Sequence, residues 1–576
     1  MSHTPNYDAK VKSILDATSP GERTCELTGE KWEMTEEEIG WYKKFNVPPS
    51  KRSPLTRAKI TSSFWVGFQW WNWKHPKSGV TIISPYHPAT GVSVLPDKEW
   101  FDQDFSSEYL DDDPNRSVFD VMYELTRNIP LPAHSHAKEP ENSVAILSHG
   151  DRNSYFSLGS ESEQSLFVWW STRVQTSCLV WNSDQVAESY SVANSKNIHN
   201  SLFVRDSSDV LSSAFCFLCE DIESCFGATN QSHQKFIFFN EQLSESEFHS
   251  RREKVDLSKR SELEKWMGKF RDLVGNKTIW PENLNAGDIQ STGEYLYDVS
   301  DCHACYACVK HSKDLFYCSF AAEGSDSAFS TPIFSSKCFE ATNQFQSHDI
   351  RYSYACYRCQ SMEYSYLCYD CEDCFGCVGL HRKKNHIFNK SYAEDAYWQK
   401  LDEIKCRMLD RDEYGQFFPI RMSPTYFGEA GAVNHFGADL SEWERLGGTS
   451  FDPESAGAIG DLAKGDSTPS CEIPDAIDEM KDKDWVGRVV LDEAARRKFR
   501  FLKPELDFYR RKKIAPPTRH FTWRMIDLLH ESNLAVFEDV DCAKCSQPIR
   551  VAKNMVYPNR TIYCKPCYLT YLEQHG

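Results

Sequence analysis

The sequence lacks any long hydrophobic run. No window approaches the roughly 18 uninterrupted apolar residues that a membrane-spanning helix needs. The first 31 residues also lack the basic start and apolar stretch of a secretory signal. We therefore expect no membrane span and a soluble, cytoplasmic protein.

The sequence also lacks the short motifs of common enzymes. It contains no P-loop, no dinucleotide-binding glycine motif, no G-x-S-x-G elbow and no H-E-x-x-H helix. These absences predict a non-enzymatic protein. The formal net charge of −19 argues against a protein that coats nucleic acid along its whole length, although it allows one local basic patch.

Cysteine, by contrast, is plentiful, with 22 residues in a chain of 576. In a cytoplasmic protein such cysteines are thiols or metal ligands more often than disulfides. Their spacing therefore indicates which parts of the chain could bind a metal.

A period of three residues organises the chain from position 174 to position 228. Every third position holds a branched apolar residue or a serine in alternation, with cysteine replacing either one late in the series: Val174, Ser177, Val180, Ser183, Val186, Ser189, Val192, Ser195, Ile198, Ser201, Val204, Ser207, Val210, Ser213, Cys216, Cys219, Ile222, Cys225 and Ala228. The residue after every second serine-type position is mostly apolar, and the residue after the others is polar. Two six-residue blocks thus make a twelve-residue unit.

Neither a regular helix nor a flat strand explains this pattern. A step of three drifts by about 60° per step around an α-helix, and a flat strand has a period of two. We therefore predict a mostly β fold with two short-repeat (six/twelve-residue) β-solenoid arms, capping helices and zinc-ribbon-like terminal modules. Whether one coil takes twelve residues or a multiple of twelve is left open by the sequence.

The second arm repeats the pattern with more cysteine. Its every-third series is Ile350, Ser353, Cys356, Cys359, Met362, Ser365, Cys368, Cys371, Cys374 and Cys377. Each arm ends in a Phe-Asn pair followed by an amphipathic helix, and Ser244 with Glu247 predicts a capping box in front of the first. The predicted units are 1–140, a degenerate zinc-ribbon-like region; 141–240, arm 1; 241–290, a helical cap and connector; 291–390, arm 2; 391–485, a helix and Gly-rich connector; and 486–576, a basic segment with a C-terminal zinc ribbon.

The run of four cysteines in arm 2 has two interpretations. Their C-x-x-C spacing resembles that of iron–sulfur or other metal ligands: Cys368, Cys371, Cys374 and Cys377. Alternatively they are small buried residues at repeat positions. The second interpretation is favoured because arm 1 fills the same register with Ser and Val, which are not soft ligands.

A second cysteine group predicts a structural Zn²⁺ near the C-terminus. Two C-x-x-C pairs are separated by eighteen residues: Cys542, Cys545, Cys564 and Cys567. This is the spacing of a four-cysteine zinc ribbon, in which the four thiolates leave no ligand position for water. The N-terminus looks like an eroded relative of the module, because residues 35–49 match residues 503–517, with Cys25 as its one remaining thiol.

Together these parts resemble a family of Cys-rich bacterial repeat proteins with zinc-ribbon-like flanks, from small-genome environmental bacteria. The resemblance covers nearly the whole chain and lies in Cys25-x-x-x-Gly29, Phe388-Asn389, Glu505-Leu506-Asp507-Phe508-Tyr509 and Tyr563-Cys564-x-x-Cys567-Tyr568. The chain departs from the family by lacking cysteines around 53–57 and 491–498. The resemblance implies this architecture and no particular activity.

A basic and aromatic segment precedes the C-terminal cysteines. Residues 496–524 hold eleven Lys or Arg and two acidic residues, and the candidate nucleic-acid contacts are Arg496, Arg497, Lys498, Arg510, Arg511, Lys512 and Lys513. A solvated charged face is the favoured alternative. His134 and His136 are a weaker indication of a metal site.

The sequence is compatible with three functions. The first is a zinc-binding β-solenoid scaffold with protein partners, which exposed apolar stripes on the coils would support. The second is a nucleic-acid-associated zinc-ribbon protein that uses residues 496–567. The third is a metal or iron–sulfur protein that uses arm 2.

Overall fold

The structure, a computed structural model, describes residues 3–449, 451–453 and 467–575. It is rich in strands, and no helix within the described residues has the length and hydropathy needed to cross a bilayer. The α-helices are α1 (Pro5–Asp16), α2 (Glu36–Phe45), α3 (Pro54–Ser62), α4 (Asp97–Phe101), α5 (Val118–Asn128), α6 (Glu245–Arg252), α7 (Arg260–Asp272), α8 (Glu394–Asp410), α9 (Gly431–Phe436), α10 (Glu442–Arg445), α11 (Asp482–Trp485), α12 (Lys503–Lys512), α13 (Phe521–His530) and α14 (Lys565–His575).

Short hairpins and bridges precede arm 1. The first six strands are β1 (Gly21–Thr24), β2 (Lys31–Met34), β3 (Trp71–Lys74), β4 (Thr81–Ser84), β5 (Val94–Leu95) and β6 (Leu131–Pro132). β1 pairs with β2 and β3 with β4 in antiparallel hairpins.

Arm 1 consists of two parallel sheets that face each other across a narrow core. A ten-stranded sheet has the order β22-β21-β20-β18-β16-β14-β12-β10-β8-β7, and a six-stranded sheet has the order β19-β17-β15-β13-β11-β9; only the last pair, β21 with β22, is antiparallel. The strands are β7 (Val144–Ile146), β8 (Tyr155–Leu158), β9 (Ser162–Glu163), β10 (Leu166–Trp169), β11 (Thr172–Gln175), β12 (Cys178–Trp181), β13 (Asp184–Ala187), β14 (Tyr190–Ala193), β15 (Lys196–His199), β16 (Leu202–Arg205), β17 (Ser208–Leu211), β18 (Ala214–Phe217), β19 (Glu220–Glu223), β20 (Phe226–Thr229), β21 (Ile237–Phe238) and β22 (Glu241–Gln242).

Arm 2 has the same construction. A nine-stranded sheet has the order β25-β27-β28-β30-β32-β34-β36-β37-β38, and a four-stranded sheet has the order β29-β31-β33-β35. The strands from the connector through arm 2 are β23 (Ile279–Pro281), β24 (Gly293–Glu294), β25 (Ser300–His303), β26 (Cys305–Tyr306), β27 (Lys313–Phe316), β28 (Ser325–Ala328), β29 (Pro332–Ile333), β30 (Ser336–Phe339), β31 (Gln344–Phe345), β32 (His348–Arg351), β33 (Tyr354–Tyr357), β34 (Gln360–Glu363), β35 (Tyr366–Tyr369), β36 (Glu372–Phe375), β37 (Lys384–Ile387) and β38 (Lys390–Ser391).

The last strands belong to the C-terminal part of the chain. They are β39 (Thr468–Pro469), β40 (Val489–Asp492), β41 (Arg497–Arg500), β42 (Asn533–Asp541), β43 (Pro548–Asn554) and β44 (Thr561–Tyr563). β40 pairs with β41, and β42 with β43, in antiparallel hairpins.

One coil of arm 1 takes twelve residues, which answers the question that the sequence leaves open. Cys178 pairs with Leu166 on one side and with Tyr190 on the other, and both steps are twelve residues. Successive coils thus stack as parallel strands, consistent with the predicted solenoid.

The period of three in the sequence arises from the corners of each coil. Every third residue has a left-handed backbone, as at Leu179 (φ 62°), Asn182 (φ 45°), Gln185 (φ 56°) and Glu188 (φ 51°). Four such corners turn the chain through one coil. One inward side chain lies after each corner, and these are Val180, Ser183, Val186 and Ser189, all buried. Two valines and two serines per coil give the alternation in the sequence.

The inward serines satisfy backbone groups that would otherwise be buried without partners. The hydroxyl of Ser177 accepts a hydrogen bond from the N–H of Ser189 one coil later (3.1 Å) and donates one to the carbonyl of Gln175 (2.7 Å). The same pair of bonds recurs one coil on, at Ser189. Because an unpaired buried N–H is costly, each coil needs an acceptor here.

The predicted helical caps are present. The capping box of Ser244 with Glu247 starts α6, and the Trp266 ring of α7 packs on Phe226 and Phe239, with ring centroids 5.3 and 5.8 Å away. α8 follows the last strand of arm 2 and contacts β37. Helices therefore lie at the C-terminal end of each arm, where a further strand could otherwise pair.

The two faces of arm 1 differ sharply. All of β12 is buried, whereas in β13 Val186 alone is buried and the neighbouring side chains reach solvent. The exposed six-stranded face carries polar and charged residues, such as Arg173 and Lys196, in place of the apolar stripes that would support the scaffold interpretation most directly. Leu211 is its one large exposed hydrophobic residue within the described strands.

The Gly-rich region after residue 428 is more than the connector that its composition predicts. Helix α9 is buried, and the His435 ring lies between Trp181 of arm 1 (centroids 5.5 Å apart) and Phe320 of arm 2 (4.7 Å). Its small residues are needed for close packing, because a Cβ on Gly431 would lie 2.8 Å from the Trp65 ring. Residues 454–466 of the predicted connector lie outside the described residues.

Candidate metal centre

The four C-terminal cysteines come together at the end of a hairpin. Cys542 and Cys545 lie in the turn between β42 and β43, while Cys564 and Cys567 lie at the start of α14. Their sulfur atoms all lie within 4.8 Å of one another, and those of Cys545 and Cys564 are 3.7 Å apart. The group can therefore hold a metal ion.

The turn gives the first cysteine its position. The N–H of Cys542 donates to the carbonyl of Gln547 (2.9 Å), the N–H of Ser546 donates back to the carbonyl of Cys542 (2.9 Å), and Ser546 has a φ of 59°. The Cys542 sulfur also accepts from the N–H of Cys564 (3.3 Å), which joins the two C-x-x-C pairs. Burial opposes ionisation here, but backbone N–H groups lower the pKa of Cys542 to about 6.

The donor set fits a structural metal better than a catalytic one. Four protein sulfurs complete a tetrahedral shell, so no position is left for water or substrate. What the ion would supply is a cross-link between the hairpin and helix α14.

The hairpin lies at the junction between the arms. β44, directly before Cys564, pairs in parallel with β23, the strand between the helices that follow arm 1 and the start of arm 2. The amide of Asn230, in the last coils of arm 1, donates to the carbonyl of Ile279 and to the hydroxyl of Tyr568, each at 3.0 Å. The metal centre is thus attached to arm 1 and to the connector together.

The segment that leads into the hairpin also contacts both arms. Arg205 of arm 1 forms an ion pair with Glu531 (2.7 Å). The amide of Asn533 donates to Glu294 of arm 2 (3.0 Å), and the hydroxyl of Tyr306 donates to the Asn533 carbonyl (2.7 Å). Residues 531–568 therefore touch arm 1, the connector and arm 2.

The arm 2 cysteines occupy the inward positions of their coils. Cys368, Cys371, Cys374 and Cys377 are each at most 2% exposed. The thiol of Cys371 donates to the carbonyl of Tyr369 (3.3 Å), and the N–H of Cys371 donates to the sulfur of Cys359 (3.5 Å), as the serines do in arm 1. Within the described residues these four thiols do not form a group with all sulfurs mutually within 4.8 Å. Their contacts match the packing interpretation.

A second group of ligand-type atoms lies at Asp97, His134 and His136. Its atoms already serve the backbone: the Asp97 carboxylate accepts from the N–H groups of His134 (2.8 Å) and His136 (3.3 Å), and the Nδ1 of His136 accepts from the N–H of Ser148 (3.2 Å). These hydrogen bonds give the cluster a structural role at the start of arm 1.

The N-terminal module repeats the turn of the metal centre with other donors. The N–H of Cys25 donates to the carbonyl of Glu30 (2.8 Å), and Gly29 adopts a φ of 71°. The corresponding side chains are hydrogen-bonded: the Cys25 thiol donates to the Thr56 hydroxyl (3.5 Å), which lies 3.4 Å from that of Thr28 and 3.0 Å from that of Ser53. Hydroxyl groups thus replace three of the four thiols.

A further copy of the N-terminal module lies at residues 489–530, where the sequence contains no cysteine that would indicate it. In the N-terminal copy Arg57 donates to the Tyr42 hydroxyl, which donates to Glu38. In the further copy the same order joins three other residues: Arg524, Tyr509 and Glu505. The sequence match of residues 35–49 with 503–517 is the part of this relation that the sequence does reveal.

Most candidate nucleic-acid contacts are engaged within the protein. Arg497 is buried beside Glu429, Arg496 pairs with Asp452 (3.0 Å), and Lys512 and Arg511 pair with Glu188 (3.0 and 3.7 Å). Arg510 pairs with Asp482 and Asp507; Lys498 is half-buried, and Lys513 is exposed. The segment is a packed face, and most of the acidic residues that pair with it come from other parts of the chain.

No protein-family model matches the chain, and no curated protein sequence matches it.

Proposed function

We propose that the protein is a non-enzymatic scaffold in which one structural Zn²⁺, held by the C-terminal cysteines, fixes two β-solenoid arms relative to each other. The observation that carries the proposal is the position of the metal centre, whose hairpin and helix touch arm 1, the connector and arm 2. Zinc is the ion that suits four thiolates at this spacing.

The exposed faces supply the scaffold surface. Side chains one coil apart pair in rows, as Asn197 with Asp209 (2.5 Å), Arg358 with Asp370 (2.6 Å) and Lys384 with Glu372 (2.8 Å). Such rows repeat at the spacing between strands, about 4.8 Å. They favour a protein partner recognised through polar contacts, and the internal pairing of the basic segment makes a nucleic-acid partner the weaker alternative.

Hydrogen exchange before and after metal removal tests whether the Zn²⁺ fixes the two arms relative to each other, a role that we call the zinc clamp. We expect chelation to raise exchange in β23 and β44, because the cross-link behind them is lost, while amides of β12 and β14 keep their protection. The matched control is the Cys567→Ser variant, which should exchange rapidly at β44 with or without chelator.

Two results would contradict the proposal. Unchanged exchange at β23 and β44 after the metal is removed would mean that the ion does not hold the junction. Loss of protection throughout both arms would mean that it supports the whole fold and is not a clamp between preformed arms.

A further inference from the structure

A cleft of about 430 Å³ lies between the β3–β4 hairpin, strand β41, the start of α13 and the first coils of arm 1. We call it the aromatic cleft. Its size falls within the range of small-molecule sites, about 300–1,000 Å³. It lies away from the four cysteines, so the metal centre does not account for it.

One wall of the aromatic cleft is made of half-buried rings. Phe156 of arm 1 and Phe521 at the start of α13 have centroids 4.5 Å apart, and Trp73 of β3 lies on the hairpin side. The Trp73 indole is held in place by a hydrogen bond to the carbonyl of Tyr86 (2.8 Å). Rings that are fixed and still partly exposed favour a flat, aromatic ligand, since each base stacked on such a ring is stabilised by about 1–3 kcal/mol.

A buried hydrogen-bond donor faces no acceptor of the protein. Trp70 lines the aromatic cleft and is 5% exposed. Its indole Nε1 is a buried donor with no hydrogen-bond partner among the described residues. Because a buried donor is costly to leave unpaired, an acceptor on a ligand is favoured here.

The mouth of the aromatic cleft is positive in a protein whose net charge is −19. Lys74 and Arg500 are exposed at its edge, and no acidic side chain of the described residues lines it. Arg500 forms no ion pair with any described residue. The N-terminal end of α13 adds the partial positive charge of the helix dipole. An anionic group is therefore favoured beside the rings.

We propose that the aromatic cleft binds a nucleoside phosphate, with the base against the Phe156, Phe521 and Trp73 rings and the phosphate near Arg500, Lys74 and the start of α13. The chemistry is the same for a free nucleotide and for a nucleotide of a single strand. The proposal does not depend on the zinc clamp, and nothing in it implies a reaction.

Saturation-transfer NMR and calorimetry with AMP test the proposal on the full-length, zinc-loaded protein. We expect one AMP per chain, with the strongest saturation transfer on the base protons, and weaker binding of adenosine or inorganic phosphate alone. Arg500→Glu should weaken AMP binding at least about tenfold, since it places a negative charge beside the phosphate. Lys513→Glu is the matched control, because this exposed residue of the same segment lies outside the cleft lining.

A single-stranded hexanucleotide separates the two sources of the ligand. Tighter binding of the hexamer than of AMP would identify a strand, and equal or weaker binding would identify a free nucleotide. The proposal is overturned if AMP shows no saturable binding at millimolar concentration. It is also overturned if Lys513→Glu weakens binding as much as Arg500→Glu, because the attraction would then be general to the basic segment.

Discussion

Serine and cysteine share one position in these coils because both can occupy a small inward space and hydrogen-bond the backbone. In arm 1 the acceptor for the next coil is a hydroxyl, and at Cys359 of arm 2 it is a thiol. A sulfur atom is a weaker acceptor. The choice between the two residues therefore changes the strength of the ladder without changing the shape of the coil.

Removing one of the inward serine hydroxyls, which form a hydrogen-bonded ladder from coil to coil, should destabilise arm 1. In Ser189→Ala the N–H of Ser201 and the carbonyl of Ala187 both lose a buried partner, and we expect a loss of about 1–3 kcal/mol in the free energy of unfolding of arm 1. Urea unfolding measures it. Ser208→Ala is the control, because this half-buried hydroxyl makes no hydrogen bond with a described residue; equal effects of the two variants would contradict the ladder.

Glu294, at the start of arm 2, predicts a pH dependence. Burial raises the pKa of its carboxyl group to about 8. The folded state thus holds a proton that the unfolded chain releases near pH 4, so stability falls as the pH rises from about 4 through 8. We expect Glu294→Gln to flatten the fall in melting temperature between pH 6 and 9, while the exposed control Glu253→Gln leaves it unchanged. A wild-type melting temperature that rises over this range would contradict the assignment.

At the scale of elements, the N-terminal copy has the turn geometry of the C-terminal metal centre with one thiol in place of four. The Cys25 sulfur and the hydroxyl oxygens of Thr28 and Ser53 lie 3.0–3.5 Å from Thr56 Oγ1. This is close to the 3.7 Å between two sulfurs of the C-terminal group. In the N-terminal copy, hydrogen bonds among these side chains therefore join the hairpin to the helix.

Restoring the three missing thiols should create a second zinc site. We expect the Thr28→Cys/Ser53→Cys/Thr56→Cys variant to bind one more Zn²⁺ than the wild type and to melt at a higher temperature when zinc is added. Elemental analysis and thermal unfolding measure the two effects. Thr28→Ser/Ser53→Thr/Thr56→Ser is the matched control, and an unchanged zinc content in the cysteine variant would show that the two turns differ in geometry.

The regular coils and the four-cysteine group could be predicted from the sequence, whereas one copy of the terminal module and helix α9 could not. The inward series of Val and Ser revealed the twelve-residue unit, because each coil must present the same side chains to the same core. The two C-x-x-C pairs predicted the metal centre. The copy at 489–530 was not predicted because it contains no cysteine, and α9 was not predicted because closely packed Gly and Ala resemble linker residues in a sequence.

At the scale of the whole molecule, the arrangement of the arms depends on contacts with no periodic signal. His435 touches Trp181 and Phe320, and residues 531–568 reach both arms and the connector. Single aromatic and polar contacts between distant segments leave no pattern in one sequence. The interpretation of the four cysteines as a clamp therefore became available only with the structure.

The metal content per chain, measured by elemental analysis on protein purified without oxygen, tests this account most directly. We expect one zinc in the wild type and none in the Cys545→Ser/Cys567→Ser variant, with the cysteines of arm 2 left as buried thiols. Iron, several metal ions per chain, or zinc that persists in the variant would contradict the account and would move metal binding to arm 2.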